Sequence, residues 1–453
     1  MSERLGWFGV VRLGLVQTAL GAIVVLTTST MNRVMVVELA LPAILPGALV
    51  AFHYVLQFLR PRWGYGSDMG GRRTPWIIGG VATLAVGGVL AAVAIAWMAT
   101  NVAAGVALAA LGFALIGGGV GAAGTSLLAF LATRVAEEHR AAAATIVWLM
   151  MIAGFVVTTI VAGHFLDPFS PARLVAITAT VSVLSVIVTV LALWNIEKKT
   201  DAASIPAAVT TQPVQKPPFR DALAEVWNDA RARRFTIFVF ISMLAYSMQD
   251  LILEPFAGIV FGLTPGESTK LSGVQHGGVF TGMVLVALTG SAGLGFGTLR
   301  SWTIGGCIAS SLALIGLASA GTGGPDWPLR ATVFALGVAN GAFAVSAIGS
   351  MMQLAGEGTK SREGVRMGLW GAAQAVAFGS GGFIGAAGVD ILRQFVVHPV
   401  TAYTAVFTFE AALFVVAAAL ASRAIDQAPV RIDDGGLLAG SAGLLELGRG
   451  RAS

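Results

Sequence analysis

The stretch Gly64-Tyr65-Gly66-Ser67-Asp68-Met69-Gly70-Gly71-Arg72-Arg73 lies between two long apolar runs, at about 42–60 and 75–97. It fits the pattern G-x-x-x-D-x-x-G-R-R and reads as a tight connection. Its glycines permit a sharp turn and close backbone approach. Asp68 falls near the N-terminal end of the following run, where a helix favours negative charge. Arg72 and Arg73 hold the turn on the side of a membrane where basic residues collect.

Outward from this turn the same alternation repeats. Apolar runs lie near 11–31, 42–60, 75–97, 103–132, 142–164 and 172–194, then near 235–261, 271–293, 302–320, 330–354, 367–389 and 401–421. A helix needs about 20 apolar residues to cross a bilayer, so twelve spans are expected. Composition agrees. Of 453 residues, 56% are hydrophobic and 11% charged, against about 25% charged in an ordinary soluble domain. That is too little charge to coat a water-facing surface, which excludes an ordinary cytosolic enzyme. The apolar content excludes disorder. The first run reads as a span rather than a cleavable signal peptide, because it continues into a multi-span pattern. The single Cys307 cannot form an intrachain disulfide and is a poor basis for a metal site.

One segment breaks the alternation. It holds Pro206, Pro213, Pro217 and Pro218, then a charged stretch from Arg220 to Arg234. We read it as a linker followed by a short surface helix, with Asp221, Glu225 and Asp229 at intervals of four. The expected organisation is a six-helix bundle over 1–196, a cytoplasmic linker over 197–234, a second six-helix bundle over 235–422 and a cytoplasmic tail over 423–453. With the N-terminus in the cytoplasm, only Arg33, Arg173, Lys270, Arg330 and Arg393 of the 28 Lys and Arg residues fall outside. This asymmetry predicts that both termini are cytoplasmic. It also accounts for the net charge of +5 without nucleic acid.

The two halves echo each other. Arg140 precedes Trp148 by the same eight residues that separate Arg362 from Trp370. Glu38 lies between the first two spans and His53 early in the second. Glu254 lies late in the seventh span and His276 early in the eighth. Two similarly oriented halves imply a pseudo-twofold axis along the membrane normal.

The Gly64–Arg73 stretch resembles the cytoplasmic signature of the major facilitator superfamily, at the place expected in a six-plus-six chain. Its structural motif residues are Gly64, Asp68, Gly71, Arg72 and Arg73; the second half holds only a degenerate counterpart near Gly293 to Arg300. A narrower resemblance rests on Asn32-Arg33-Val34-Met35-Val36-Val37-Glu38-Leu39, Phe52-His53-Tyr54, Gln249-Asp250-Leu251-Ile252-Leu253-Glu254-Pro255-Phe256 and Leu271-Ser272-Gly273-Val274-Gln275-His276-Gly277-Gly278. It continues in Arg362-Glu363-Gly364-Val365-Arg366-Met367-Gly368-Leu369-Trp370-Gly371-Ala372-Ala373-Gln374. These segments look like the PucC/LhaA family, the bacteriochlorophyll-delivery branch of that superfamily. The resemblance implies an all-α polytopic fold of twelve transmembrane helices in two pseudo-symmetric halves. It implies a multi-pass protein of the inner, intracytoplasmic photosynthetic membrane that assists assembly of light-harvesting antenna complexes. The implied cofactor is bacteriochlorophyll, with carotenoid as a second pigment. Implied partners are the antenna α and β polypeptides or the reaction-centre–antenna complex, with pigment-synthesis enzymes and the membrane insertion machinery alongside. An old label for the family, a bacteriochlorophyll synthase chain, has no catalytic constellation behind it here.

Pigment handling makes physical demands. A chlorin fills four in-plane positions of its magnesium and leaves an axial site for neutral imidazole, a carbonyl, a carboxylate or water. His53 and His276 are the axial-ligand candidates; the structural alternative for each is a neutral ring hydrogen-bonded to a neighbouring helix. His164 reads as interfacial, and His139 and His398 as loop residues. Among the acids, Glu38, Asp250 and Glu254 fall where lipid makes a charge costly, about 2.5–3.5 kcal/mol on insertion scales. Asp250 and Glu254 are four apart and are expected to share one helical face. Glu38 pairs either with Arg33 or with the other half. A structural polar network, a pigment or partner site and proton coupling all remain open for these acids. Gln57, Gln249, Gln275, Asn340 and Gln374 can extend such a network, and Gln275, Trp370 and Gln374 complete the candidate pigment site. Glycine clusters in the fourth and eleventh spans serve close helix contact or a groove for a flat pigment.

Three functions are weighed. The first is an assembly factor that binds bacteriochlorophyll and delivers it without pumping. The second is a proton-coupled secondary transporter of a small amphipathic substrate, since fold does not set function. The third, a pigment-synthesising enzyme, lacks a metal–diphosphate motif, a phosphate-cradling loop and a nucleophile arrangement.

Overall fold

The computed structural model is helical throughout and describes residues 5–57, 72–136, 139–197, 224, 227–291, 297–324, 326–356 and 363–425. The first six helices are α1 (Trp7–Glu38), α2 (Ile44–Leu56), α3 (Thr74–Met98), α4 (Val102–Arg134), α5 (Arg140–Phe165) and α6 (Pro171–Leu193). α7 has two pieces, Ala230–Leu251 and Leu253–Phe261, bent by 40°. Then come α8 (Pro265–Ser291), α9 (Leu299–Gly323), α10 (Leu329–Gly356), α11 (Glu363–Arg393) and α12 (Pro399–Ala424). Among the described residues, ten of these are long and apolar enough to cross a membrane; α7 makes an eleventh when its pieces count as one, and α2 is a shorter apolar helix. The chain is a multi-pass membrane protein.

Local chemistry explains where helices begin. The first N–H groups of a helix have no partner inside it. Asn101 accepts from the Ala104 amide, Ser170 from the Arg173 amide and Asp229 from the Arg231 amide. Proline, which lacks an N–H, stands in the first turn of α3, α6 and α12. Side chains such as Leu111, Val157, Leu191, Leu312 and Val415 stand exposed around the bundle, the surface that a lipid-facing helix requires.

Buried apolar side chains form two large clusters. One runs from Val10 to Leu193 with Leu251 added; the other runs from Phe235 to Ile425. Helix neighbours repeat at an interval of six: α1 lies on α5, α2 on α4, and α3 on α4 and α6, while α7 lies on α11, α8 on α10, and α9 on α10 and α12. The halves meet through α2 against α11 and α5 against α8. A twofold exchange of the halves turns the first of these contacts into the second, so the pseudo-symmetry is a property of the contacts.

Several boundaries differ from expectation. α1 runs past residue 31 because two π turns, Leu26–Thr30 and Val34–Glu38, carry the helix through its polar residues. Glu38 therefore ends α1 and does not lie in a connection. α8 begins at Pro265 rather than near 271. Asp229 is the N-cap of α7 rather than part of a separate surface helix. Gly64, Asp68 and Gly71, Asp221 and Glu225 of the linker, Arg362, residues 293–296 and the tail beyond residue 425 lie outside the described residues. Arg72 and Arg73 are described. Among the described residues, Glu197 meets the first turn of α3, where it accepts from the Arg73 and Thr74 amides at 3.1 Å.

Candidate functional site

We call the end of the bundle that holds both Trp7 and Ala424 the terminal end, and the other the distal end. The polar residues Ser29, Thr30, Asn32, Arg33 and Glu38 of α1 gather distally, where its two π turns lie. A π turn closes i→i+5, which brings Arg33 and Glu38 together in an ion pair. Of the two partners weighed for Glu38, the structure selects Arg33. Arg33 is only 2% exposed, and its other nitrogen donates to the Leu263 carbonyl of the opposite half at 2.6 Å.

The rest of α1 continues this bridge. Asn32 donates to the Leu251 carbonyl at 2.7 Å, and Thr30 meets Thr269 at 3.1 Å. Ser29 donates to the Glu254 carboxylate and lies 3.1 Å from the Ser272 hydroxyl. Glu254 is thus buried between the halves, in a polar network with α1 and α8. Asp250 is elsewhere. The turn Gln249–Leu251 is 3₁₀ and the chain bends at Ile252, leaving Asp250 exposed while Glu254 is buried. The expectation that the two acids share one face of a continuous helix fails, because the break puts them on different pieces.

The two histidines also differ. His53 is 1% exposed, with Nδ1 at 2.6 Å from the Val50 carbonyl and its ring against Tyr54. Gly117 of α4 is drawn onto its backbone: a Cβ there would meet the His53 carbonyl at 2.5 Å. His53 is enclosed between α2 and α4. His276 is half-buried. Its Nδ1 lies 2.8 Å from the Ser272 carbonyl, and the edge of its ring meets Phe155 of α5 at 5.0 Å between centroids. The Nδ1 proton that this bond requires leaves Nε2 with its lone pair, the tautomer that a metal-ligating histidine uses.

Trp370 is a core residue. It is 1% exposed, its indole N–H donates to Thr236 Oγ1 at 3.1 Å, and its ring meets Phe235. It lines a small cavity with Asp229, Leu354 and Arg366. Trp148, its echo, is 42% exposed. Gln374 reaches Met243 Sδ at 3.9 Å, as Gln17 reaches Met151 Sδ at 3.1 Å in the other half. Gln275 is buried. Most glycines in the clusters serve close contact, yet Gly79 and Gly118 face open space and share a groove of about 420 Å³ with Trp76 and Thr83 between α3 and α4. Among the described residues no group of three or more His, Cys, Asp or Glu can hold a metal ion. One acid escaped sequence reasoning: Glu410 in α12 is 0% exposed with neither carboxylate oxygen hydrogen-bonded.

Residues 30–428 match the family described as PUCC protein. The chain belongs to the PUCC family. It is 54% identical over 419 residues, 92% of this chain and 95% of the relative, to the "Bacteriochlorophyll synthase 44.5 kDa chain" of Rhodobacter capsulatus. It is 29% identical over 434 residues, 90% of each chain, to Protein PucC of Cereibacter sphaeroides. Solved structures of similar shape are the D-xylose-proton symporter (TM-score 0.72, 14% identity, 93% of this chain and 98% of that one) and the nucleoside transporter NupG (TM-score 0.66, 13% identity, 92% and 98%). The fold of this PUCC family member is that of major facilitator superfamily transporters.

Proposed function

We propose that this chain is a membrane assembly factor that binds bacteriochlorophyll, with carotenoid as a second pigment, and delivers it to the α and β polypeptides of a light-harvesting antenna complex. Its place is the intracytoplasmic photosynthetic membrane, with both termini and the 197–234 linker on the cytoplasmic side. It acts without catalysis. Family membership and the name of the 54% identical relative support a role connected with this pigment.

The observation that carries the binding site is His276. Its Nδ1 is held by the Ser272 carbonyl and Phe155 steadies the ring, while Nε2 on this half-buried side chain has no hydrogen-bond partner among the described residues. A bound bacteriochlorophyll supplies a magnesium with an axial position for such a nitrogen. His53, enclosed by α4, does not fit that role. Glu254 and Ser29 behind His276 fix α1 to the α7–α8 region and so keep α8 in place.

Purification from a pigment-producing host tests this. The parent protein should carry chlorin absorbance, His276→Ala should lose most of it, and His53→Ala should retain pigment per folded chain. A parent preparation with no chlorin absorbance sinks the pigment part. Loss of pigment in His53→Ala alone moves the ligand away from His276.

A further inference from the structure

The two halves are clasped at the distal end by a reciprocal pair of helix caps, and we propose that this pair sets whether that end is closed or open. At the end of α5, Asp167 accepts from the Thr264 hydroxyl at 2.8 Å and from the Gly266 amide at 3.1 Å. These donors begin α8, in the other half. At the end of α11, Asp390 accepts from the Ile44 amide at 2.7 Å. That donor begins α2, again in the other half. Unpartnered N–H groups and the positive end of the helix dipole both favour a carboxylate there.

The two caps are the same device used twice. Asp167 and Asp390 are 223 positions apart, and Trp148 and Trp370 are 222 apart. Each acid follows a small residue by four positions, Gly163 or Ala386, which meets a glycine of the opposing first turns. A Cβ on Gly163 would meet the Gly266 carbonyl at 2.6 Å, and one on Gly47 would meet the Ala386 Cβ at 3.1 Å. Those glycines stand in the matched dipeptides Pro265-Gly266 and Pro46-Gly47. Each half therefore gives one acid and receives one.

Among the described residues, the terminal end is wired differently. Glu197 caps α3 within its own half, and Asp229 caps α7 while holding Arg366 at 2.8 Å within its own half. Such caps survive any rigid movement of one half against the other. The Asp167 and Asp390 caps do not: parting the halves distally breaks both together. Opening and closing of that end thus draws on two caps related by the pseudo-twofold, two bonds at Asp167 and one at Asp390, beside the bonds that α1 makes to α7 and α8.

The test uses the full chain in nanodiscs, with Thr30→Cys as reporter. Thr30 is fully buried between the halves against Thr269. The native Cys307, buried within α9, reports unfolding in the same sample. Maleimide labelling is read at both cysteines by mass spectrometry. Removing a cap side chain typically shifts a helix-end equilibrium severalfold, so Asp167→Ala and Asp390→Ala should each speed labelling at position 30 about fivefold, and the pair about twentyfold. Asparagine also caps, so Asp167→Asn with Asp390→Asn should keep the parent rate. The proposal fails if the double alanine variant labels at the parent rate, if asparagine acts like alanine, or if Cys307 speeds equally. Should the double variant not purify as one species, the singles decide: both must speed labelling alike, and a change in only one overturns the twofold clasp.

Discussion

Glu410 lies midway along α12, fully buried and without a hydrogen-bond partner. A buried polar group in that state destabilises the fold, and replacing it by an apolar side chain of similar volume removes the penalty. Glu410→Leu should therefore raise the thermal unfolding midpoint in detergent, by the equivalent of about 1–3 kcal/mol. A lower midpoint would show that the acid has a structural partner. Glu410 was legible as the lone acid of the run near 401–421, but it drew no notice because no second acid stands beside it in sequence. The opposite happened with Asp250 and Glu254. Their spacing of four was legible; the bend at Ile252 that separates them was signalled only by Pro255, whose ring and missing N–H cannot serve the Leu251 carbonyl four residues back, and this signal went unread. Arg33 and Glu38 were foreseeable as a pair only as one of two options, because five residues bring side chains together in a π turn and not in an α-helix. The unequal burial of His53 and His276 depends on Gly117 of another helix, which no local pattern reveals.

At the scale of elements, long apolar runs placed the helices well, and errors fell at ends where polar residues continue a helix. α1 is the clearest case, extending through Asn32 and Arg33 because these side chains find partners on α7 and the loop after it. The glycine clusters show what composition cannot resolve. Gly119 and Gly118 are adjacent in α4, yet a Cβ on Gly119 would lie 2.5 Å from the Leu84 amide nitrogen and 2.6 Å from the Gly80 carbonyl, while one on Gly118 would meet nothing within 4 Å. Backbone cannot yield as a flexible side chain can. Gly119→Ala should lower stability by about 1–3 kcal/mol, the usual cost of overfilling a tight contact. Gly118→Ala should stay within about 0.5 kcal/mol of the parent. Equal midpoints for the two variants in thermal unfolding would refute the backbone contact between α3 and α4. Both readings of the glycine clusters, close contact and open groove, thus hold within a single helix.

For the whole molecule, the decisive feature is that two buried clusters of α1–α6 and α7–α12 meet, among the described residues, chiefly through two helix pairs, α2 with α11 and α5 with α8. Each cluster is built from its own six helices, with Leu251 the one side chain of the second half that joins the first cluster. The distal bonds then tie the halves: Ser29 to Glu254, Asn32 to Leu251, Arg33 to Leu263, and the two reciprocal caps. Such an arrangement needs covalent continuity only to keep the halves at high effective concentration, and two anchored partners in one bilayer retain much of that advantage. Expressing residues 1–205 and 206–453 as separate chains in one host should therefore yield both fragments in the membrane, and a tag on either should recover the other. A break within α4 should yield no such pair, because it divides a cluster instead of a linker. Adding Arg33→Ala should weaken recovery of the partner fragment, since that side chain links α1 to the Leu263 carbonyl across the boundary. Unchanged recovery with Arg33→Ala would assign the joining energy to the α2–α11 and α5–α8 contacts alone, while loss of recovery with the unaltered fragments would mean that the halves do not hold together without the linker.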